Sequence, residues 1–245
     1  MTARNDLWDL PRHGRLARFL RGPVRRRLSP VLQRRFHRRY AIIQRWRWRG
    51  LDIIIQPGIF PPGPTISTTV LLDHLSARGD ALRGVQAFDL GSGTGIVALA
   101  LARAGAVVTA SDINPRAAAN VAENAALNRL PVSVVVADQL KGIDGSGLDL
   151  ITITPPYYPA DPATAAERAW FCGRDFDYFH RLFPQLAILD LDRTEVLMML
   201  SEDCALEHIA AIAGGHGLGL DLVHARRRWL EWTLLFRVVA REGAT

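Results

Sequence analysis

Residues 85–105, VQAFDLGSGTGIVALALARAG, constrain this chain more than any other stretch. An apolar segment of strand length runs into three glycines within five residues, and an apolar helix-forming segment follows. Such a loop lets the backbone approach a ligand closely and aims the first amides of the helix at it. A glycine loop between a strand and a helix predicts a parallel α/β sheet with its site beyond the carboxyl ends of the strands. The spacing then narrows the ligand. A dinucleotide loop reads GxGxxG, but the glycines here stand at 91, 93 and 95, and position 96 is Ile. No GK[ST] follows, so a P-loop is excluded.

The rest of the chain repeats the alternation. Strands are predicted at 51–55, 85–90, 106–111, 132–137, 148–153 and 194–201. Helices are predicted near 67–78, 94–104, 115–128, 175–188 and 203–213. Gly105 stops the second helix and Pro115 opens the third. Two closing strands, 218–226 and 231–240, form an antiparallel hairpin. A length of 245 residues suits one sizeable α/β domain with an appended segment.

The net charge of +6 conceals an asymmetry. Residues 1–49 hold 15 Arg and two acids, a net of +13, while residues 50–245 carry 15 Lys or Arg and 22 acids, a net of −7. The division expected is therefore a basic helical arm at 1–49 and a catalytic domain at 50–245. Within the arm, apolar spacing predicts a short helix near 13–21 and a longer one near 30–47, the latter opened by Ser29-Pro30. A concentrated basic segment reads as a handle for a polyanion, whether RNA, ribosome or anionic membrane surface. It reads equally as a solvated, Arg-rich helix face.

Other features restrict the class. The two cysteines, Cys172 and Cys204, form no CxxC pair, and the seven histidines show no metal-ligand spacing, so no metal site is expected. No apolar run reaches membrane-spanning length and the start lacks a signal core, so a cytoplasmic protein is expected.

The early third glycine and the preceding Asp89 resemble the first motif of the class I S-adenosylmethionine-dependent methyltransferases. The resemblance implies a Rossmann-like, doubly wound, mostly parallel seven-stranded sheet. It also implies that Asp89, Gly91, Ser92, Gly93, Thr94 and Gly95 cradle the methionine part of the cofactor. The next strand ends at Asp112, 17 residues beyond Gly95. In the family an acid here takes both ribose hydroxyls, and Ile113 would pack on the adenine. The third strand ends at Ala137-Asp138-Gln139, where the family places a residue near the adenine amino group.

The fourth strand ends in Thr154-Pro155-Pro156-Tyr157. This resembles the [N/D/S]-P-P-[Y/F] motif of methyltransferases acting on planar nitrogens, among them the release-factor glutamine methyltransferases and the exocyclic-amine methyltransferases of RNA and DNA. Such a nitrogen is a poor nucleophile because its lone pair is delocalised. In the family, the first side chain and the carbonyl after it accept hydrogen bonds from the NH2, while the aromatic ring stacks on the planar group. Positioning supplies most of the catalysis. Thr154 departs from the usual Asn, Asp or Ser. Downstream, residues 171–179 are similar to the glycine-and-acid segment of the glutamine methyltransferase group, with Asp175 expected to cap the next helix. Ala160 to Trp170 is a candidate substrate loop, and Cys172 and His180 read as packed side chains.

The expected activity is N-methylation of a planar amide or exocyclic amine on a macromolecule, an RNA base or a protein glutamine. The alternatives are a small-molecule methyltransferase whose arm lids the pocket, a non-catalytic cofactor-binding protein and, more remotely, a nicotinamide dehydrogenase.

Overall fold

A computed structural model of the chain describes residues 42–62, 66–228 and 231–241. The helix expected near 13–21, the Ser29-Pro30 cap and the helix expected from 30 as far as residue 41 lie outside the described residues. From residue 44 the chain departs from expectation. Gln44–Trp48 is a strand, β1, not the end of a helix. It pairs antiparallel with β2, Leu51–Ile55. The turn between them has Arg49 at φ 43° and Gly50 at φ 86°, the left-handed pair that a two-residue hairpin demands. The expected boundary after residue 49 therefore falls inside this hairpin. The physical reason is visible in Gln-Arg-Trp-Arg-Trp, whose period is two: Arg45 and Arg47 are exposed, whereas Trp48 is buried. The Arg49 and Arg103 guanidinium groups lie 5.1 and 5.4 Å from the Trp48 ring.

Seven further strands form one sheet: β3 Gln86–Leu90, β4 Val107–Asp112, β5 Val132–Val136, β6 Leu150–Ile153, β7 Glu195–Ser201, β8 Leu218–Arg228 and β9 Glu231–Ala240. Their order is β5-β4-β3-β6-β7-β9-β8. The first five strands run parallel, and β9 lies antiparallel between β7 and β8. This is the seven-stranded, mostly parallel arrangement expected. The winding reverses between β3 and β6, and a crevice opens at such a switch point.

Five α-helices are described: α1 Ile66–Ser76, α2 Ile96–Arg103, α3 Pro115–Asn128, α4 Asp177–Ala187 and α5 Leu206–Gly214. The first three share a core with the hairpin on one face of the sheet, and α4 and α5 pack on the other. Every residue from Ile96 to Ala102 is buried, because α2 lies between the sheet and the hairpin. Gly105 follows α2 at φ 93°, as expected for a stop. Pro115 opens α3, where the Asn114 side chain accepts a hydrogen bond from Arg116 N at 3.1 Å.

The hairpin is fastened to α3 by asparagines. Asn128 Oδ1 accepts from Asp52 N at 2.9 Å, and its Nδ2 donates to Asp52 O at 2.7 Å. Asn124 bonds Ile54 N and Ile54 O in the same way, both at 2.8 Å. Asn120 Oδ1 accepts from Gln56 N at 3.4 Å, and its Nδ2 donates to Ile54 O at 3.1 Å. Four residues of helix rise about 6 Å and two residues of strand about 6.6 Å, so the two repeats keep step. The helix thus satisfies the free edge of β2 as a third strand would.

Candidate active site

A cavity of about 570 Å³ opens beyond the carboxyl ends of β3, β4, β5 and β6. The glycine loop, the ends of β4 and β5 and the whole Thr154–Tyr157 turn line it together. Of the proposed site residues, only Gly95 does not reach the cavity wall; its role is in packing. At φ 80° it accepts a left-handed backbone, and a Cβ there would stand 2.8 Å from Val121 Cγ1 of α3. Gly91 and Gly93 also have positive φ, but a Cβ at either would meet no protein atom within 4 Å. Their open side is a cradle that side chains would fill.

Asp89 lies at the base of this cradle and is buried. Its Oδ1 accepts from Thr152 Oγ1 at 2.8 Å, across the β3–β6 junction. Its Oδ2 is buried without a hydrogen-bond partner. Burial pushes the carboxyl up to about 6, opposed by the Thr152 and Ser92 hydroxyls and the Ala98 amide. A buried acceptor left unmatched in a cavity wall calls for a donor from a ligand.

Asp112 ends β4 and holds the loop. Its Oδ2 accepts from Gly93 N at 3.0 Å and its Oδ1 from Asn114 N at 2.9 Å. Each oxygen retains acceptor capacity toward the cavity. Burial raises this carboxyl above its ordinary range, against the two backbone donors. Ile113 lines the cavity and is 38% exposed, an apolar surface available to a flat ring. Ser92 Oγ donates to Asp89 O at 2.7 Å, and Thr94 O accepts from Asn124 Nδ2 at 2.9 Å.

At the end of β5, Asp138 and Gln139 both line the cavity. The Gln139 carboxamide is engaged elsewhere: Nε2 donates to Tyr178 O at 2.8 Å, and Oε1 accepts from Gln185 Nε2 at 2.8 Å. That leaves Asp138 as the acid facing the cavity there.

Three parts of the wall escaped the sequence reading. The Gly58–Pro62 stretch covers one side, with Phe60 4.6 Å from Trp170 between ring centroids. The Pro/Gly composition of that loop marked a turn but gave no chemical signal. Tyr178, in the first turn of α4, also faces the cavity. Burial raises its hydroxyl above the usual phenol range, and the Asp112 and Asp138 carboxylates add to the effect. The third is the side chain of Arg168, which was not singled out although the loop that carries it, Ala160 to Trp170, was expected at the substrate.

That loop is closed at its base by backbone bonds from Tyr158 N to Trp170 O and from Cys172 N to Tyr158 O, at 3.1 and 3.0 Å. Cys172 is buried as expected, and burial pushes its thiol up to about 11. His180, expected to pack, is exposed. Asp175, expected to cap α4, is exposed as well, and the helix begins two residues later behind Phe176 at φ 59° with no side-chain cap. The left-handed Phe176 turns the chain so that loop carbonyls serve the first turn instead: Tyr178 N donates to Cys172 O at 2.8 Å.

The chain resembles known methyltransferases in sequence and in fold. Residues 50–169 match the family described as methyltransferase small domain. Human methyltransferase HEMK2 is 35% identical over 138 residues, covering 50% of this chain and 64% of that protein. A release factor glutamine methyltransferase from Deinococcus radiodurans is 40% identical over 124 residues, covering 48% of this chain and 42% of that protein. The chain therefore spans less than two thirds of the length of these relatives.

Among solved structures, the Mtq2–Trm112 complex of E. cuniculi, responsible for methylation of the eRF1 translation termination factor, matches with a TM-score of 0.57 at 21% identity, covering 76% of this chain and 99% of that one. The T. thermophilus 16S rRNA methyltransferase RsmC, bound to AdoMet and guanosine, matches with a TM-score of 0.56 at 18% identity, covering 80% and 50%. At these identities the likeness establishes the fold. Among the described residues, no helix is long and apolar enough to cross a membrane.

Proposed function

We propose that the protein, whose residues 50–169 match the methyltransferase small domain family, is an S-adenosylmethionine-dependent N-methyltransferase acting on a planar amide of a protein, a glutamine side chain. The observation that carries the reading is the shared cavity. It brings the Thr154–Tyr157 turn to the same space as the Asp89 cradle and Asp112. The names of the relatives, HEMK2 and the release factor glutamine methyltransferase, support the acceptor class.

The wall fits the cofactor. The unmatched Asp89 Oδ2 suits the ammonium of the methionine part. The open cradle at Gly91 and Gly93 suits its chain, the remaining lone pairs of Asp112 suit the ribose hydroxyls, and Ile113 with Asp138 suits the adenine. S-adenosylmethionine, when bound, supplies an electrophilic methyl group on sulfur.

The chain's residues prepare the nitrogen. The Thr154 hydroxyl and the Pro155 carbonyl accept the two amide hydrogens, which aims the lone pair at the methyl group. The Tyr157 ring stacks on the amide plane, and Pro155-Pro156 fixes the turn. Thr154 offers one hydroxyl where the carboxamide of Asn, the carboxylate of Asp or the hydroxyl of Ser stands in the family. It accepts one hydrogen bond, which is all this step asks of it.

The acceptor is a macromolecule, and the basic arm is its handle. Binding through that arm weakens steeply with salt. A cytoplasmic location goes with a translation protein as acceptor. The test is a transfer assay with labelled cofactor against fractionated cell protein, ribosomes and RNA, with Asp112→Ala and Tyr157→Ala beside the wild type. Label in a protein glutamine, lost in both variants, is expected. Label confined to RNA would overturn the acceptor class.

A further inference from the structure

Asn124 makes a set of contacts that neither cofactor binding nor acceptor binding accounts for. It is 0% exposed. Its Oδ1 accepts from Ile54 N at 2.8 Å, and its Nδ2 donates both to Ile54 O at 2.8 Å and to Thr94 O at 2.9 Å. Two carbonyl oxygens face the nitrogen and one N–H faces the oxygen, so only one orientation of the carboxamide satisfies all three. The neighbouring rungs differ. Asn128 bonds Asp52 and its own helix at Asn124 O, and Asn120 bonds the hairpin and Glu123. Among the described residues, Asn124 alone of the three also grips the glycine loop.

Thr94 sits between two glycines with positive φ, Gly93 and Gly95. Such a loop has little stiffness of its own. Asp112 holds the Gly93 amide from the β4 side, and Asn124 holds the Thr94 carbonyl from the α3 side. The same carboxamide holds Ile54, next to the end of β2, which leads into the Gly58–Pro62 wall of the cavity.

We propose that Asn124 is a positioning residue that couples the seating of the β1–β2 hairpin to the shape of the cofactor loop. A seated hairpin orients the carboxamide, and the carboxamide sets the Thr94 peptide and with it the cradle. By linkage, a ligand that needs the ordered cradle also steadies the hairpin. The ligand part of this inference rests on the cofactor reading above; the mechanical part does not.

The test combines hydrogen exchange with titration of S-adenosylhomocysteine. In the wild type, the ligand should slow exchange at the Ile54 amide as well as in the glycine loop. Asn124→Ala and the milder Asn124→Ser should weaken binding by about tenfold, the order expected when a buried partner is left unmatched. Asn128→Ala, which frees the Asp52 end of β2 but leaves the three Asn124 side-chain bonds to Ile54 and Thr94 in place, should leave affinity within about twofold. Turnover at saturating cofactor should change less than cofactor KM.

Equal weakening by the Asn124 and Asn128 variants, or an Ile54 amide indifferent to ligand, would overturn the coupling. If S-adenosylhomocysteine does not bind the wild type, the cofactor reading fails, and the ligand-free protein decides the coupling. Faster exchange at Gly93 and Gly95 in the Asn124 variants but not in Asn128→Ala supports it, and the same exchange in all of them overturns it.

Discussion

Thr152 Oγ1 donates to Asp89 Oδ1 at 2.8 Å across the junction of β3 and β6, while the other Asp89 oxygen stays buried and unmatched. The two residues are directly paired in the sheet. The strand order itself therefore puts a hydroxyl against the acid at the point where the sheet changes its winding. One oxygen of the carboxylate is fixed by the hydroxyl, and the residue lines the cavity.

A pH dependence follows. Burial holds Asp89 up to about 6 in the free protein, above the ordinary carboxyl range near 3.9. A raised acid stabilises the folded chain below its unfolded pKa, and that contribution is lost as pH rises through the folded value. Asp89→Asn should therefore make the ligand-free protein more stable at pH 8, by up to about 3 kcal/mol, with the gain disappearing toward pH 4. Cofactor binding runs the other way. An ammonium needs the ionised carboxylate, so affinity should fall below pH 6. Denaturant titrations and calorimetry with S-adenosylhomocysteine from pH 5 to 8 check both slopes.

Thr152→Val removes the donor and keeps the shape. The Asp89 carboxylate loses its hydrogen bond, so its pKa rises further. The midpoint of the pH–affinity curve should move upward by about one unit, on the order of 1.4 kcal/mol. An unmoved midpoint would show that the hydroxyl does not tune the acid.

Asp112→Ala removes two backbone hydrogen bonds, from Gly93 N and Asn114 N, together with the proposed ribose acceptors. Cofactor affinity should fall by about 100-fold, in line with about 1.5–3 kcal/mol per charged hydrogen bond. Full affinity in this variant would remove the ribose assignment.

Tyr157→Ala should separate the two halves of the cavity. Cofactor affinity should stay within about twofold while kcat on a glutamine acceptor falls about 100-fold, the loss expected when orientation goes but binding of the donor remains. Thr154→Ala should lower kcat about tenfold, and Thr154→Asn should restore it. Steady-state kinetics with both substrates varied make the distinction.

Gly95→Ala places a methyl group 2.8 Å from Val121 Cγ1 in a left-handed conformation at φ 80°. A loss of about 2–3 kcal/mol is expected, combining overpacking with backbone strain. Val121→Ala should recover only the packing part, leaving about 1 kcal/mol, which a double-mutant cycle measures.

Much of this site was legible in the sequence because its chemistry is local. Three glycines after Asp89 are a backbone requirement, and Asp112 and Thr154 follow from the end of a strand. The hairpin was legible only in part. The apolar spacing through Tyr40 and Ile43 pointed to a helix, whereas the alternation Arg45-Trp46-Arg47-Trp48 and the Arg49-Gly50 turn already spelled a strand and its return. The asparagines at 120, 124 and 128 were visible as a repeat of four, but an asparagine on a helix face is ordinary until something lies against it. Asp175 looked like a cap because acids commonly are, and the left-handed Phe176 turned it to solvent.

By itself, the sequence determined the alternation of elements, the register of the glycine loop and the acids at the strand ends. Each of these depends on residues a few positions apart and on periods of 2 and 3.6. Only the tertiary structure decided that Thr152 meets Asp89, that Phe60 meets Trp170, that Tyr178 and Asp112 line one cavity, and that one buried carboxamide joins the hairpin to the loop. Those contacts join residues far apart in the chain, and strand order and packing set them. No local propensity encodes which distant polar group will complete a buried hydrogen bond, only that something must.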